Sequence, residues 1–302
     1  MSELQEMRTF TRAVEVGGFS AAARELDLSP SAVSKLVSRL EDRLGARLLH
    51  RTTRRLSPTE EGRAFYHRCV AILGEIQQAE EAVSEARGRV RGTLRVVAMS
   101  AFGRAHLLPL LPEFMSRFPE LRLELQLRER TVDLVDEGID VALQLSETVT
   151  DESLVARKLF TNRRIVCAAP AYLERYGTPR VPEDLMKHNC LTHSSFAHFN
   201  DWEFTDRSGT RILHVGGNFE ANSASSLYRA VVAGVGIARL ATFLVGRDLK
   251  KGRLLPLLTD YTHDQSSLLV VYPHRRHLSQ KVRAFVDFVA GEFTPVPPWE
   301  RD

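Results

Sequence analysis

The chain is poor in cysteine: Cys69, Cys167 and Cys190 are the three in 302 residues. They are far apart and odd in number, which excludes a disulfide framework or zinc-ribbon spacing and fits a reducing cytoplasm. Three buried, inert thiols are expected. No apolar run approaches the roughly 18 residues a membrane span needs. The opening MSELQEMRTF carries Glu3 and Glu6 and no apolar core of a secretion signal. Charge of one sign is scarce too: 41 Lys and Arg against 38 Asp and Glu leave +3, too little to indicate nucleic-acid binding by itself. Catalytic signatures are missing. Ser194 and Ser195 lack a G-x-S-x-G turn, and His188, His193 and His198 have a spacing that suits no metal site, so they read as surface histidines. Gly234-Val235-Gly236 lacks the third glycine of a dinucleotide fingerprint and follows a helix, so it reads as a helix end turning into a strand. No enzyme, cofactor or metal site is expected.

What is present is organised in three parts. The length calls for two or more cores. The charge is uneven: Arg47 to Arg55 holds four Arg, one His and no acid, while Thr59 to Arg87 holds six Glu against three Arg.

Leu4, Met7, Phe10 and Val14 recur at helical spacing and predict a first helix, ended by Gly17-Gly18. Ser20 is the expected N-cap of a second, Ala21 to Leu26, and Asp27-Leu28 the turn. Ser29 then caps a third helix with Pro30 in its first position, where a missing N–H costs nothing. On this helix Val33, Leu36, Val37, Leu40 and Leu44 share one side, while Ser31, Ser34, Lys35 and Ser38 share the other, with Arg39 at its edge. The polar face carries no acid until Glu41 and Asp42. That order suits a helix entering a major groove N-terminus first, although a merely solvated face would show a similar split. The downstream arginines, on a Thr-rich ribbon, are placed to clamp phosphates.

The stretch GGFSAAARELDLSPSAVSKLVSRLEDRLGARLLHRTTRRLSPTEEG resembles the N-terminal winged helix-turn-helix of LysR-type transcriptional regulators, over about 60 residues. The resemblance implies an all-α winged helix-turn-helix domain at 1–58 that binds double-stranded DNA. Ser29, Pro30, Ser31, Ser34 and Lys35 would lie at the groove-reading tip, and Arg51, Thr52, Thr53, Arg54 and Arg55 in the wing. Many members carry Gln in place of Pro30 and Arg in place of Lys35. Pro30 cannot read a base edge with an amide and Lys35 is a point charge and not a fork, so the resemblance implies DNA binding here but not which bases are read.

Thr59 is the expected cap of a long helix at 59–88. Along it Phe65, Cys69, Ile72, Ile76, Ala79, Val83 and Ala86 alternate spacings of four and three. Such a seam suits one partner helix, or packing on its own domain. The resemblance implies the former, dimerisation through linker helices, followed by a hinge at 89–92.

Residues 93–302 alternate strand and helix signals, an open α/β pattern. Strands are expected at Thr93–Ala98, Leu121–Arg128, Asp140–Leu145 and Ser267–Tyr272. Helices are expected through Leu107–Phe114, at Val132–Glu137 and at Ser279–Phe293. PAYLERYGTPRVPEDLMKHNCL and VYPHRRHLSQKVRAFVDFV extend the family resemblance to the effector domain, which is similar to type 2 periplasmic binding proteins. It implies two α/β subdomains, about 93–161 plus 267–302 and about 162–266, with a small-molecule effector between them. Strand ends and helix starts nominate Ser100, Ala101, Phe102, Arg130, Thr131, Gln144, Ser146, Ser195, Phe196, Asn222 and Ser223. Two helix starts would favour a carboxylate or polarised carbonyl. Relatives often carry Arg-Ile-Gly in place of Gln144-Leu145-Ser146, a swap that removes a charge. The tail Pro295–Trp299 reads as a disordered end or, as the alternative, an extended arm. The family further implies a homo-oligomer, a dimer of dimers, acting on polymerase access at a dyad-symmetric site. The competing classes are a solute-binding or enzymatic α/β protein with an unrelated N-terminal appendage, and an architectural DNA binder whose C-terminal domain only oligomerises.

Overall fold

The computed structural model describes residues 2–51, 56–85, 90–130, 133–146, 151, 153–207, 209–262, 265–274, 278–294 and 296–301. The chain divides into two units, Met1–Arg89 with Val132–Ile139, and Val90–Thr131 with Asp140–Asp302. No helix among the described residues is long and apolar enough to cross a membrane.

In the first unit α1 (Glu3–Glu15), α2 (Phe19–Glu25) and α3 (Pro30–Leu44) precede a two-stranded ribbon, β1 (Leu49–Arg51) and β2 (Leu56–Pro58), and then α4 (Glu60–Glu85). Phe10, Val37, Leu40, Leu48 and Leu49 close one core, and Ala13, Ala22, Ala23 and Val33 a second whose small side chains let α1, α2 and α3 approach closely. Several expectations are corrected. Ser20 lies inside α2, which begins after Gly18, and its side chain caps nothing. Leu44, in the last turn of α3, is 40% exposed. Val132–Glu137 forms no helix in its described part. The Asp133 carboxylate accepts the Val135 and Asp136 N–H groups (2.9 Å each), and Gly138 has φ +63°, so Leu134–Gly138 is a chain of turns.

The second unit starts at β3 (Gly92–Met99), so Gly92 is already strand and not hinge; Arg89 lies outside the described residues. It continues through α5 (Ser100–Phe102), a wide turn at Gly103–Leu107, a tight one at Leu108–Leu110 and α6 (Leu111–Arg117). Next come β4 (Leu121–Arg128), β5 (Val141–Ser146) and the long β6 (Leu154–Ala168). Then follow α7 (Pro170–Tyr176), β7 (Thr192–His193), β8 (Asp201–Asp206), β9 (Gly209–His214), β10 (Glu220–Ala221), α8 (Ala224–Val232) and β11 (Ile237–Ala241). Last come α9 (Thr242–Lys250), β12 (Leu255–Leu257), β13 (Gln265–Pro273) and α10 (Gln280–Phe293). As expected, α8 ends before Gly234-Val235-Gly236 and a strand follows it.

A seven-stranded sheet runs β11-β6-β13-β5-β3-β4, with β12 also on β6. β6 pairs with β13 as far as Arg163 and with β11 from Arg164, so this one strand carries both halves. Leu94, Val96, Phe114, Leu143, Phe285 and Val289 anchor the core of one half. In the other, Val166, Tyr172, Trp202, Phe204 and Ile237 form one cluster and Val231, Leu240 and Val245 another.

Candidate DNA-binding surface and effector site

Ser29 caps α3: the Ala32 N–H donates to Ser29 Oγ (3.2 Å), which also bonds Ser31 Oγ (2.9 Å). One acceptor of the tip is thus used inside the domain, while Pro30, Ser31, Lys35 and Arg39 are exposed and Ser34 half-buried. No acid stands in the first turn of α3. Thr52, Thr53, Arg54 and Arg55, and the side chain of Arg51, lie outside the described residues. The ribbon they join is antiparallel, with Arg51 opposite Leu56.

The root of that ribbon is fixed by a residue the sequence pattern undervalued. Glu41 is a buried carboxylate, 6% exposed, whose Oε1 accepts the N–H groups of Leu48 (2.9 Å) and Leu49 (3.1 Å). It lies four residues after Val37, on the apolar side of α3, and that placement was the available signal. Thr59 completes the joint as expected: its Oγ1 accepts the Gly62 N–H (2.9 Å) and donates to Arg47 O (2.8 Å). A Cβ at Gly62 would stand 1.9 Å from Leu48 O, so only glycine allows this approach of α4 to the ribbon. The seam on α4 is corrected at its start. Cys69 is fully buried in the core of its own unit, and Phe65 packs against the same core with its ring 5.7 Å from that of Phe10. Ile72 is 43% exposed and Ile76 half-buried; the side chains of Ala79 and Val83, and all of Ala86, lie outside the described residues. Burial pushes the Cys69 thiol up to about 11 and those of Cys167 and Cys190 up to about 12, so all three are inert.

In the second unit β3 is parallel to both β4 and β5, with Met99 opposite Arg128 and Ala98 opposite Leu143. Their carboxyl ends therefore bring together Ser100, Glu129-Arg130 and Gln144–Ser146, the edge where open sheets collect ligands. A second group forms where β7 and β10 run parallel. The Ser194 N–H donates to Ala221 O (3.0 Å), which sets Ser194–Phe196 beside Asn222-Ser223 at the start of α8. The Arg130 guanidinium, 5.9 Å above the Phe196 ring, links the two groups. Thr131 lies outside the described residues.

Three readings are corrected here. Ala101 and Phe102 are buried; Phe102 is fully enclosed by Phe160, Phe243, Phe293 and other rings, and is core. His193 is buried, not a surface residue: its Nδ1 accepts the Ser195 N–H (3.2 Å), and Asn200 bonds its backbone on both sides. Burial lowers its pKa, so the ring is neutral and shapes the Ser195–Phe196 turn. In the described part of the tail, from Val296, Trp299 is buried and so is not part of a disordered end.

Burial lifts the Glu129 carboxyl above the ordinary range, against a Ser100 hydrogen bond and the charge of Arg104. A carboxyl with a raised folded pKa favours folding while protonated and costs stability once pH rises above its unfolded value of roughly 4.3. Glu129→Gln should therefore raise the melting temperature at neutral pH and leave it unchanged near pH 3.5, roughly a unit below that value. A lower melting temperature at neutral pH would show that the carboxylate is stabilising.

The model for the LysR substrate binding domain matches residues 87–294, and that for the bacterial regulatory helix-turn-helix protein, lysR family, matches residues 4–63. The regulator CrgA of Neisseria meningitidis serogroup C is 37% identical over 95% of this chain and 96% of its own. An uncharacterized HTH-type regulator of Haemophilus influenzae is 36% identical over 93% of this chain and 98% of its own. Among solved structures, CrgA, a LysR-type regulator from N. meningitidis, superposes with a TM-score of 0.64 at 36% identity, covering 97% of this chain and 100% of that one. The Vibrio cholerae virulence activator AphB gives 0.64 at 27%, over 97% and 100%. Family models covering both units and relatives matched nearly end to end make this chain a member of the LysR-type transcriptional regulators, with a DNA-binding helix-turn-helix and a substrate-binding domain, and not an enzyme.

Proposed function

We propose that this regulator binds an interrupted palindrome through paired subunits, assembles as a dimer of dimers, and takes a small-molecule effector between Ser100, Arg130, Gln144 and Ser146 on one side and Ser195, Phe196, Asn222 and Ser223 on the other. The observation that carries the effector reading is the Arg130–Phe196 contact joining the two groups. A carboxylate or polarised carbonyl suits them: Arg130 and Arg104 supply positive charge, and Ser223 begins α8 with no side-chain cap on its N–H groups. Binding between the halves would shift their angle, and with it DNA bending and the access of RNA polymerase.

DNA recognition is tested by footprinting the chain's own upstream region. Arg51→Ala should weaken binding to every sequence and lower the salt slope by about one. Lys35→Ala should mainly relax base preference, at about 1–3 kcal/mol of discrimination. Equal effects from the two variants would overturn the division between wing and tip. Pairing through α4 is tested separately. Ile72→Glu places a charge on the exposed apolar face and should shift the particle to a smaller assembly in sedimentation, with loss of dyad-symmetric protection.

A further inference from the structure

The segment after α10 crosses from one half of the effector domain to the other. Its indole is 2% exposed, with ring centroids 4.3 Å from His106, 4.7 Å from Phe160 and 5.9 Å from Phe293. On the far side Trp299 packs over Phe243 (6.2 Å), and its Cβ and carbonyl lie 3.4 Å from where a Cβ on Gly246 would stand, both on α9. Polar contacts repeat the crossing. Lys250 of α9 donates to Arg301 O, Arg163 of β6 pairs with Glu300 (3.3 Å), and Arg301 bonds Glu292 O of α10 (2.9 Å). Among the described tail residues Pro297 is buried as well, while Val296 and Arg301 are exposed and Pro298 and Glu300 half-buried.

We propose that Trp299 is a positioning residue that couples the two effector subdomains, holding the helical stretch that begins at Ser100 against α9 and so setting the angle at the effector site. Phe102 and His106 lie on that stretch, two and six residues after Ser100, and both rings touch the indole. His106 Nε2 also bonds Phe243 O (2.7 Å), so the stretch and α9 are already joined where the indole covers them. The wide turn at Gly103–Leu107 sits at this joint, the kind of helix irregularity that recurs at functional sites. Among the described residues Trp299 Nε1 is buried without a partner, which makes the seat easier to leave than a fully bonded one. The proposal rests on the effector reading only in taking Ser100 as an effector contact.

Amide hydrogen exchange on the full chain tests it without any ligand. In Trp299→Ala, amides of Gly103–Leu107, of β6 at Phe160–Asn162 and of the start of α9 should exchange about tenfold faster, those of β4 staying as in the parent. Trp299→Phe should restore most of the protection. Gly246→Leu, which displaces the indole without removing it, should repeat the pattern. Acceleration confined to Pro297–Arg301, or spread equally over every strand including β4, would overturn the coupling role. Failure of the effector reading looks different: no stabilisation by any small carboxylate in a thermal-shift screen, with the exchange pattern intact.

Discussion

Glu41→Ala should lower affinity for every DNA sequence by on the order of tenfold or more while preserving the order of preference among sequences. The carboxylate Oε1 holds two amides, Leu48 N–H and Leu49 N–H, at the point where the chain leaves α3 and enters the ribbon. Hydrogen bonds to a charged acceptor contribute about 1.5–3 kcal/mol, and a buried donor left unpaired costs about 1–3 kcal/mol. Removing the acceptor therefore releases the first strand of the wing from the reading helix. The tip at Ser31, Ser34 and Lys35 lies roughly one and a half to three turns up α3 and keeps its geometry, so base preference survives. With the strand that leads into the wing released, phosphate contacts made from it weaken, so affinity and the steepness of its salt dependence should fall together. Glu41→Gln keeps one acceptor oxygen of the same reach and should fall between the two. Equilibrium titration at several salt concentrations reads all three quantities. An alanine variant with unchanged slope and affinity would show that the ribbon holds its place without Glu41. The same logic applies to Gly62, where the Leu48 carbonyl leaves no room for a methyl group.

The parts of this molecule legible in its sequence are those governed by local rules. Ser29, Pro30 and Thr59 announce helix starts because a cap bonds an amide three residues on, and the structure has both bonds. Strands β3, β4, β5 and β13 fall where alternation or short apolar runs placed them, within a residue or two. What failed was decided by contacts distant in sequence. Cys69 and Ile72 look equivalent in a heptad, yet α4 emerges from a domain core and only residues beyond that core can meet another helix. Phe102 follows a strand end like Ser100, but a side chain two residues into a helical stretch turns toward the sheet. Glu41 reads as a surface acid because burying a carboxylate is costly unless amides meet it, and its two amides come from seven and eight residues downstream. Trp299 followed a proline-rich stretch, and nothing local says that an indole there finds a seat made by β6, α9 and α10.

Phe102 separates core from effector contact most sharply, because the two roles predict opposite readouts. Its ring is fully buried and meets Phe160 at 5.9 Å, Phe243 at 5.6 Å and Phe293 at 5.2 Å. Truncation to alanine removes a large apolar side chain and leaves a cavity among rings that belong to three different elements and cannot all collapse. Such changes cost about 3–5 kcal/mol. For a domain of this size that is a fall of about 6–20 °C in melting temperature, at roughly 2–4 °C per kcal/mol. Phe102→Leu keeps most of the volume and should recover more than half of the loss. Thermal melts of the full chain decide the matter. A side chain lining a ligand site would give the reverse, nearly unchanged stability with altered ligand affinity, and that outcome would return Phe102 to the effector site beside Ser100. If the stability loss is found, the effector contacts of this strand end reduce to Ser100 and its neighbours on β4 and β5. Ligand chemistry should then be sought in the pairing of Ser100 with Glu129, and not in a stacking interaction with an aromatic ring at position 102.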